Sequence, residues 1–333
     1  MKKVSIKDVA KAANVSVATI SLVLSGKTQN GRVSAKTIQR VTEIAKQMDY
    51  RPNRLATSLK NGRTQTIGLL VADIANPFFG SLAYFIQDEM EKAGYAVIIM
   101  NTDEKCAQME KMTTMLQSRQ VDGFIIAPSD KSEAAIQLLC DHKVPTVLID
   151  RPYPSIPVSS VYIDNSQMAY NATNYLIKQK NCKRIAFIMY DSTLYNMTER
   201  RRGYEVAMAE SGLSDHSLIR TVRHKLVELD VIEIIEDLLK GDNPIDGIFF
   251  STNTIALKGI GYLLQQKVAL GQSLQVVCYD KNELIELVPE LVSYIEQPIE
   301  TMGRQASQLL VKQMSNSSCE VQNVELNAEL VQV

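Results

Sequence analysis

Several polar side chains along residues 66–333 have the makings of a binding site: Asp73, Asn101, Asp150, Arg200, Asn253 and Asp280, with Phe78 and Phe79 just after the first. Carboxylates, amides and a guanidinium can make paired hydrogen bonds in the plane of a polyhydroxyl ring. Aromatic rings can stack above it. Each residue taken singly also reads as an ordinary turn residue, because Asp and Asn favour such positions. Catalytic constellations are harder to assemble. His142, His216 and His224 are scattered, with no pair at metal-ligand spacing. Cys106, Cys140, Cys182, Cys278 and Cys319 form no CxxC and read as free thiols in a reducing compartment. There is no Walker loop, GxSxG elbow or HExxH. The residues therefore point to binding, and no enzyme, metal or cofactor is expected.

The elements that must position these groups are apolar runs alternating with helix-length segments. The runs are 67–74, 96–101, 123–127, 145–150, 160–163, 184–190, 219–222, 247–250, 275–279 and 293–296, with helices such as 79–93, 107–119 and 167–178 between them. Alternating β and α units imply parallel sheets covered on both faces, and nearly 270 residues divide naturally into two similar halves. In such open sheets ligands bind beyond the carboxyl ends of the strands, which is where the polar residues fall. Gly259-Ile260-Gly261 lies inside a helical segment and reads as helix packing rather than a dinucleotide loop.

The first 63 residues differ from the rest. They hold 13 Lys and Arg against 3 Asp and Glu, a net of +10, while the other 270 residues hold 23 against 34, a net of −11. A basic head on an acidic body is the asymmetry of a chain whose one end meets a polyanion. Three Ser N-caps, Ser5, Ser16 and Ser34, each lie between apolar residues spaced as hydrophobic staples. They define three short helices. A core of Ile6, Val9, Ala10, Ala13, Ile20, Val23, Leu24, Ile38, Val41, Ile44, Ala45 and Met48 follows from helical spacing. Only Ala13-Asn14-Val15 separates the first two helices, which is helix-turn-helix spacing. After Tyr50-Arg51-Pro52, Asn53 can cap one further short helix. Alone it is marginal in water.

The segments VSIKDVAKAANVSVATISLVLSG, YRPNRLATSLK and TIGLLVADIANPFF resemble the lactose/galactose repressor (LacI/GalR) family, and the similarity runs through nearly the whole chain. The resemblance implies a small all-α helix-turn-helix head plus an α/β periplasmic-binding-protein-like body of two doubly wound parallel-sheet subdomains. The implied domains are residues 1–49, a hinge at 50–65 and a body at 66–333, its halves being 66–163 with 297–322 and 164–296 with 323–333. It implies crossovers near 163–165, 294–298 and 322. It assigns base reading to Val17, Ala18 and Leu22, and backbone contacts to Ser5, Ser16, Thr19 and Ser21. Hinge contacts fall to Asn53, Arg54, Ala56 and Lys60, with Leu59 wedged into the minor groove at a flexible step. Leu22 stands where many members carry Arg, so it cannot make the bidentate contact to guanine and can instead pack on a thymine methyl. In the body it assigns Arg200, Asp280 and Asn253 to ligand, with His224 at the place of a stacking aromatic. Thr254 and Cys278 depart from the usual residues. The implied partners are a near-palindromic DNA operator, a small-molecule effector of sugar type and a second copy of the chain. A phosphorylated carrier protein acting as corepressor is the alternative effector. A sugar-binding protein without DNA function would need a signal peptide, and none is visible. Nothing approaches the ~18 apolar residues of a membrane span, so a cytoplasmic protein is expected.

Overall fold

The computed structural model describes residues 4–24, 28, 33–50, 62–240, 243–316 and 320–333. Asn53, Arg54, Ala56, Leu59 and Lys60 lie outside the described residues. The chain divides into two compact units, residues 1–64 and 65–333.

In the first unit α1 (Ile6–Ala12), α2 (Val17–Leu24) and α3 (Ala35–Gln47) begin at the three expected serines. Ser5 and Asp8 form a full capping box, each side chain taking the other's backbone N–H. Thr19 N donates to Ser16 Oγ (3.1 Å) and Thr37 N to Ser34 Oγ (3.3 Å). Such caps satisfy first-turn donors that have no helical partner. Asn14 adopts the left-handed conformation (φ 48°) that turns the chain from α1 into α2. Val9, Ala10, Ala13, Ile20, Val23, Val41 and Ala45 are buried between the helices, with the other expected residues half-buried around them. The third helix stops three residues earlier than Tyr50. Asp49 turns left-handed (φ 45°) and Tyr50 N folds back onto Ala45 O (2.9 Å), so the stop precedes the proline that the sequence pointed to.

The second unit holds two six-stranded sheets. The first contains β1 (Thr66–Val71), β2 (Ala96–Asn101), β3 (Gly123–Ile126), β4 (Thr146–Ile149), β5 (Ser159–Ile163) and β11 (Asn323–Leu326) in the order β11-β5-β4-β3-β1-β2, all parallel. The second contains β6 (Ile185–Tyr190), β7 (Leu218–Val222), β8 (Gly247–Phe250), β9 (Gln275–Tyr279), β10 (Ser293–Glu296) and β12 (Glu329–Val331) in the order β12-β10-β9-β8-β6-β7. The two orders correspond strand for strand, except that β12 runs antiparallel to β10. The central strands are wholly buried, as continuous apolar runs require when helices cover both faces. Helices α4 (Pro77–Lys92), α5 (Cys106–Ser118), α6 (Glu133–Asp141) and α12 (Ile299–Ser315) belong to the first half. Helices α7 (Asn165–Lys178), α8 (Tyr195–Glu210), α9 (Val227–Leu239), α10 (Asn253–Gln265) and α11 (Glu283–Leu287) belong to the second.

Two of the three crossovers fall where expected, after β5 and after β10. The third does not. Val324 pairs with Val161 and Leu326 with Ile163, so the chain stays in the first sheet until Leu326 and crosses at Asn327-Ala328 rather than near 322. The carboxyl-terminal segment forms two strands rather than one, because its alternation of half-buried and exposed residues serves first one sheet edge and then the other. Gly259 is a packing glycine: a Cβ there would lie 2.4 Å from Phe250 Cζ, whereas at Gly261 it would make an ordinary 3.5 Å contact.

Candidate functional site

A cavity of about 250 Å³ opens between the halves of the second unit, at the carboxyl ends of the strands. Asp73, Phe78, Phe79, Asp150, Arg200, His224, Asn253 and Asp280 all line it. Asn101 does not. Its Oδ1 accepts from Ile74 N (3.1 Å) and holds the loop that follows β1.

The two aspartates occupy matching places. Asp150 follows β4 and Asp280 follows β9, both left-handed (φ 68° and 61°), and each N–H donates to the neighbouring strand, at Val161 O (3.0 Å) and Ile295 O (2.9 Å). A left-handed non-glycine costs on the order of 1 kcal/mol; here the turn throws each carboxylate off its sheet into the cavity. Arg200 reaches it because α7 and α8 touch. A Cβ on Gly203 would lie 2.1 Å from Ser166 O, so only glycine admits this approach. Arg200 Nε then donates to Asn165 Oδ1 (2.8 Å), Nη1 to Ser251 O (2.7 Å), and the guanidinium carbon lies 3.6 Å from the centre of the Tyr279 ring. Phe78 and Phe79 meet edge to face at 5.0 Å and are largely buried in the core behind the cavity.

Further residues complete the lining, and of these Tyr190, Glu104, Asn196 and Gln297 were not singled out from the sequence. Tyr190, at the end of β6, stacks on His224 with ring centres 3.8 Å apart, so the aromatic platform is a pair rather than His224 alone. Asn76 caps α4 and exchanges two amide hydrogen bonds with Asn253 across the cleft (2.9 and 3.2 Å). Asn196 Nδ2 donates to Asp150 Oδ2 (3.0 Å), and Gln297 Nε2, from the second crossover, donates to Asp280 Oδ1 (2.8 Å). Arg151 Nη1 and Nη2 donate to Glu104 (2.7 and 2.6 Å), Nε to Asp150 (3.0 Å) and Nη1 also to Pro128 O (2.8 Å). Only strand-end position could have flagged Tyr190; Glu104 and Asn196 lie in loop and helix positions that carry no periodic signal.

Burial shapes the electrostatics. It pushes the Asp280 carboxyl up to about 6, against the pull of Arg200 and the Gln297 hydrogen bond. It raises Asp150 as well, with Arg151 and Arg200 opposing. Partial loss of water lowers His224 beneath its ordinary value although the residue as a whole is exposed, which favours the uncharged ring at neutral pH. Among the described residues no group of three His, Cys, Asp or Glu side chains could hold a metal ion, and no helix is long and apolar enough to cross a membrane. The arrangement can grip a small polar molecule in its plane and stack on one face.

On the first unit, Ser16, Val17, Ala18 and Ser21 are exposed along α2, with Thr19 and Leu22 half-buried, while Ile20 and Val23 face the core. Val17 remains 41% exposed, an apolar side chain held out at the start of the helix. The Ser16 and Thr19 hydroxyls bond each other at 2.9 Å, and Ser5 Oγ donates to Asp8 Oδ2 (2.7 Å). These three hydroxyls therefore already have structural work in fixing helix starts.

Residues 64–332 match the family described as periplasmic binding proteins and sugar binding domain of LacI family, and residues 5–53 match bacterial regulatory proteins, lacI family. The chain is 31% identical over 332 residues to catabolite control protein A of Priestia megaterium, covering 97% of this chain and 96% of that one. It is 30% identical over 327 residues to the ribose operon repressor of Halalkalibacterium halodurans, covering 98% and 95%. A crystal structure of a LacI-family transcriptional regulator from Silicibacter pomeroyi shares the fold with a TM-score of 0.79 at 22% identity, covering 98% of this chain and 97% of that one. With a helix-turn-helix in one unit, a two-lobed polar cleft in the other and relatives aligned almost end to end, the chain belongs to the LacI family of bacterial regulatory proteins.

Proposed function

We propose that this protein is a transcriptional repressor that binds a specific DNA operator and changes its operator affinity when a sugar or sugar derivative enters the cleft. The observation that carries the reading is the cleft itself: residues from both halves of the body converge on one cavity and meet there directly, through Asn76–Asn253 and Asp150–Asn196. A ligand that binds between two lobes changes their relation, and any preference for one arrangement is a coupling free energy available to the DNA-binding end. Val17, Ala18 and Leu22 read bases in this account, with Ser5, Ser16, Thr19 and Ser21 at the backbone. Asn53, Arg54, Ala56 and Lys60 contact the hinge site, and Leu59 serves as the minor-groove wedge. The chain acts in the cytoplasm as a homodimer, so that two α2 helices meet half-sites of a near-palindromic operator about one helical turn apart.

The test is a thermal-shift panel of neutral sugars, sugar phosphates and purines on the full chain, since saturating ligand raises the midpoint by mass action. A hit that shifts the wild type and not Arg200→Ala supports the cleft as effector site. A hit that shifts both equally places the effector elsewhere. If small molecules leave operator affinity unchanged while a phosphorylated carrier protein alters it, the corepressor reading replaces this one.

A further inference from the structure

Given the cleft as effector site, its lining also specifies the charge of what it takes. Four carboxylates line it, Asp73, Glu104, Asp150 and Asp280, against two guanidiniums, Arg151 and Arg200. Both guanidiniums are already engaged. Arg151 is gripped by both Glu104 oxygens, Asp150 and the Pro128 carbonyl. Arg200 is tied to Asn165, Ser251 and the Tyr279 ring. A bidentate guanidinium–carboxylate pair fills the fork geometry that a phosphate or carboxylate ligand would otherwise use.

Helix N-termini are the usual alternative anion sites; at this cavity three already donate to side chains of their own first turns, and α9, which has no side-chain cap, carries Glu228 and Asp230 in its first turn. Asn76 Oδ1 accepts from Phe78 N (3.0 Å) at α4, Asn196 Oδ1 from Met197 N (2.9 Å) in α8, and Thr252 Oγ1 from Ile255 N (3.3 Å) at α10. The polar atom left over among the lining side chains has the opposite demand. Gln297 is 5% exposed, its Nε2 is turned to Asp280, and its Oε1 is buried with no partner. A buried acceptor without a donor costs roughly 1–3 kcal/mol until something donates to it. The lining asks for N–H or O–H groups, carries twice as many carboxylates as guanidiniums, and holds Arg151, the guanidinium with carboxylate partners, in a closed fork.

We infer that this cleft excludes anions and takes a donor-rich effector, an uncharged or amine-bearing polyhydroxyl molecule, with Glu104 as the residue that enforces the exclusion by occupying Arg151. Phosphorylated and acidic sugars are rejected on charge even where their rings would fit.

The inference is tested with inorganic phosphate, which needs no knowledge of the natural effector. Thermal midpoints of the full chain are followed against phosphate at constant ionic strength for the wild type, Glu104→Gln, Arg151→Gln and the double variant. The wild type shows no saturable shift that depends on Arg151. Glu104→Gln, which keeps the side-chain shape and leaves Asp150 as the one carboxylate on the guanidinium, gains saturable phosphate binding at least about tenfold tighter than the wild type, as the loss of one negative charge from a partly buried site implies. The double variant loses that gain, which separates the cleft from phosphate bound at basic surfaces. Arg151-dependent phosphate binding by the wild type overturns the inference while leaving the cleft an effector site. A folded Glu104→Gln protein that gains no phosphate binding overturns Glu104 as the guard. The effector-site reading itself stands or falls on the panel with Arg200→Ala, not on phosphate.

Discussion

Replacing Asp280 by Asn makes the protein more stable at neutral pH and leaves it unchanged in acid. The folded chain holds this carboxyl near 6, against an ordinary 3.8, chiefly because burial disfavours the charge. Below pH 3.8 both folded and unfolded chains keep the proton, and the group contributes no difference. Between 3.8 and 6 the unfolded chain releases it while the folded chain retains it. Above 6 the folded state carries the full cost of a half-buried anion, so wild-type stability falls as pH rises through this window. At ~1.4 kcal/mol for each tenfold change in proton affinity, and discounting for partial exposure, the cost above pH 7 is about 2–3 kcal/mol. Asn preserves the acceptor for Gln297 Nε2 and removes the charge. Urea denaturation followed by far-ultraviolet circular dichroism at pH 4, 5, 6, 7 and 8 measures the difference directly. The stability gap between variant and wild type should open between pH 4 and 6 and stay constant above 7. A variant that is less stable than wild type at pH 8, or a gap of the same size at pH 4 and 8, would refute the reasoning.

Two further perturbations follow from contacts in the structure and a third from the proposed function. Gly203→Ala drives a Cβ into the Ser166 carbonyl, forces α7 and α8 apart and costs about 2–3 kcal/mol or more of stability, read from the urea midpoint; an unchanged midpoint would mean the helices are not pinned there. Ser5→Ala removes the capping box of α1 and should lower the stability of the head by about 1 kcal/mol, seen as a lower melting transition for the 1–64 unit. Leu59→Ala should weaken binding to operator far more than to random duplex in electrophoretic or fluorescence titrations, and equal losses on both would remove the wedge.

The head was nearly transparent to sequence reasoning. Its serines cap their own helices within three residues, and its core repeats at 3.6, so local chemistry sufficed. The body's strands were legible as apolar runs because burial on both faces demands them. What stayed hidden depends on contacts far apart in sequence. Arg151 meets Glu104 across 47 residues, Asn76 meets Asn253 across 177, and Gln297 meets Asp280 only after the chain has crossed between lobes. The misplaced third crossover has the same cause. Val324, Leu326, Ala328 and Leu330 alternate as one edge strand would, and only pairing with β5 and then β10 divides them. Asn101 looked like its strand-end neighbours, but the loop after β1 claims its side chain.

Under the proposed function, cleft and operator are thermodynamically linked through one chain. The most direct measurement is operator affinity of the full protein with and without saturating effector from the panel, paired with effector affinity with and without saturating operator. Linkage predicts a change in operator affinity of roughly 5–150-fold, an identical factor for the effector, and loss of both effects in Arg200→Ala. An effector that binds the cleft tightly while operator affinity stays the same would contradict it.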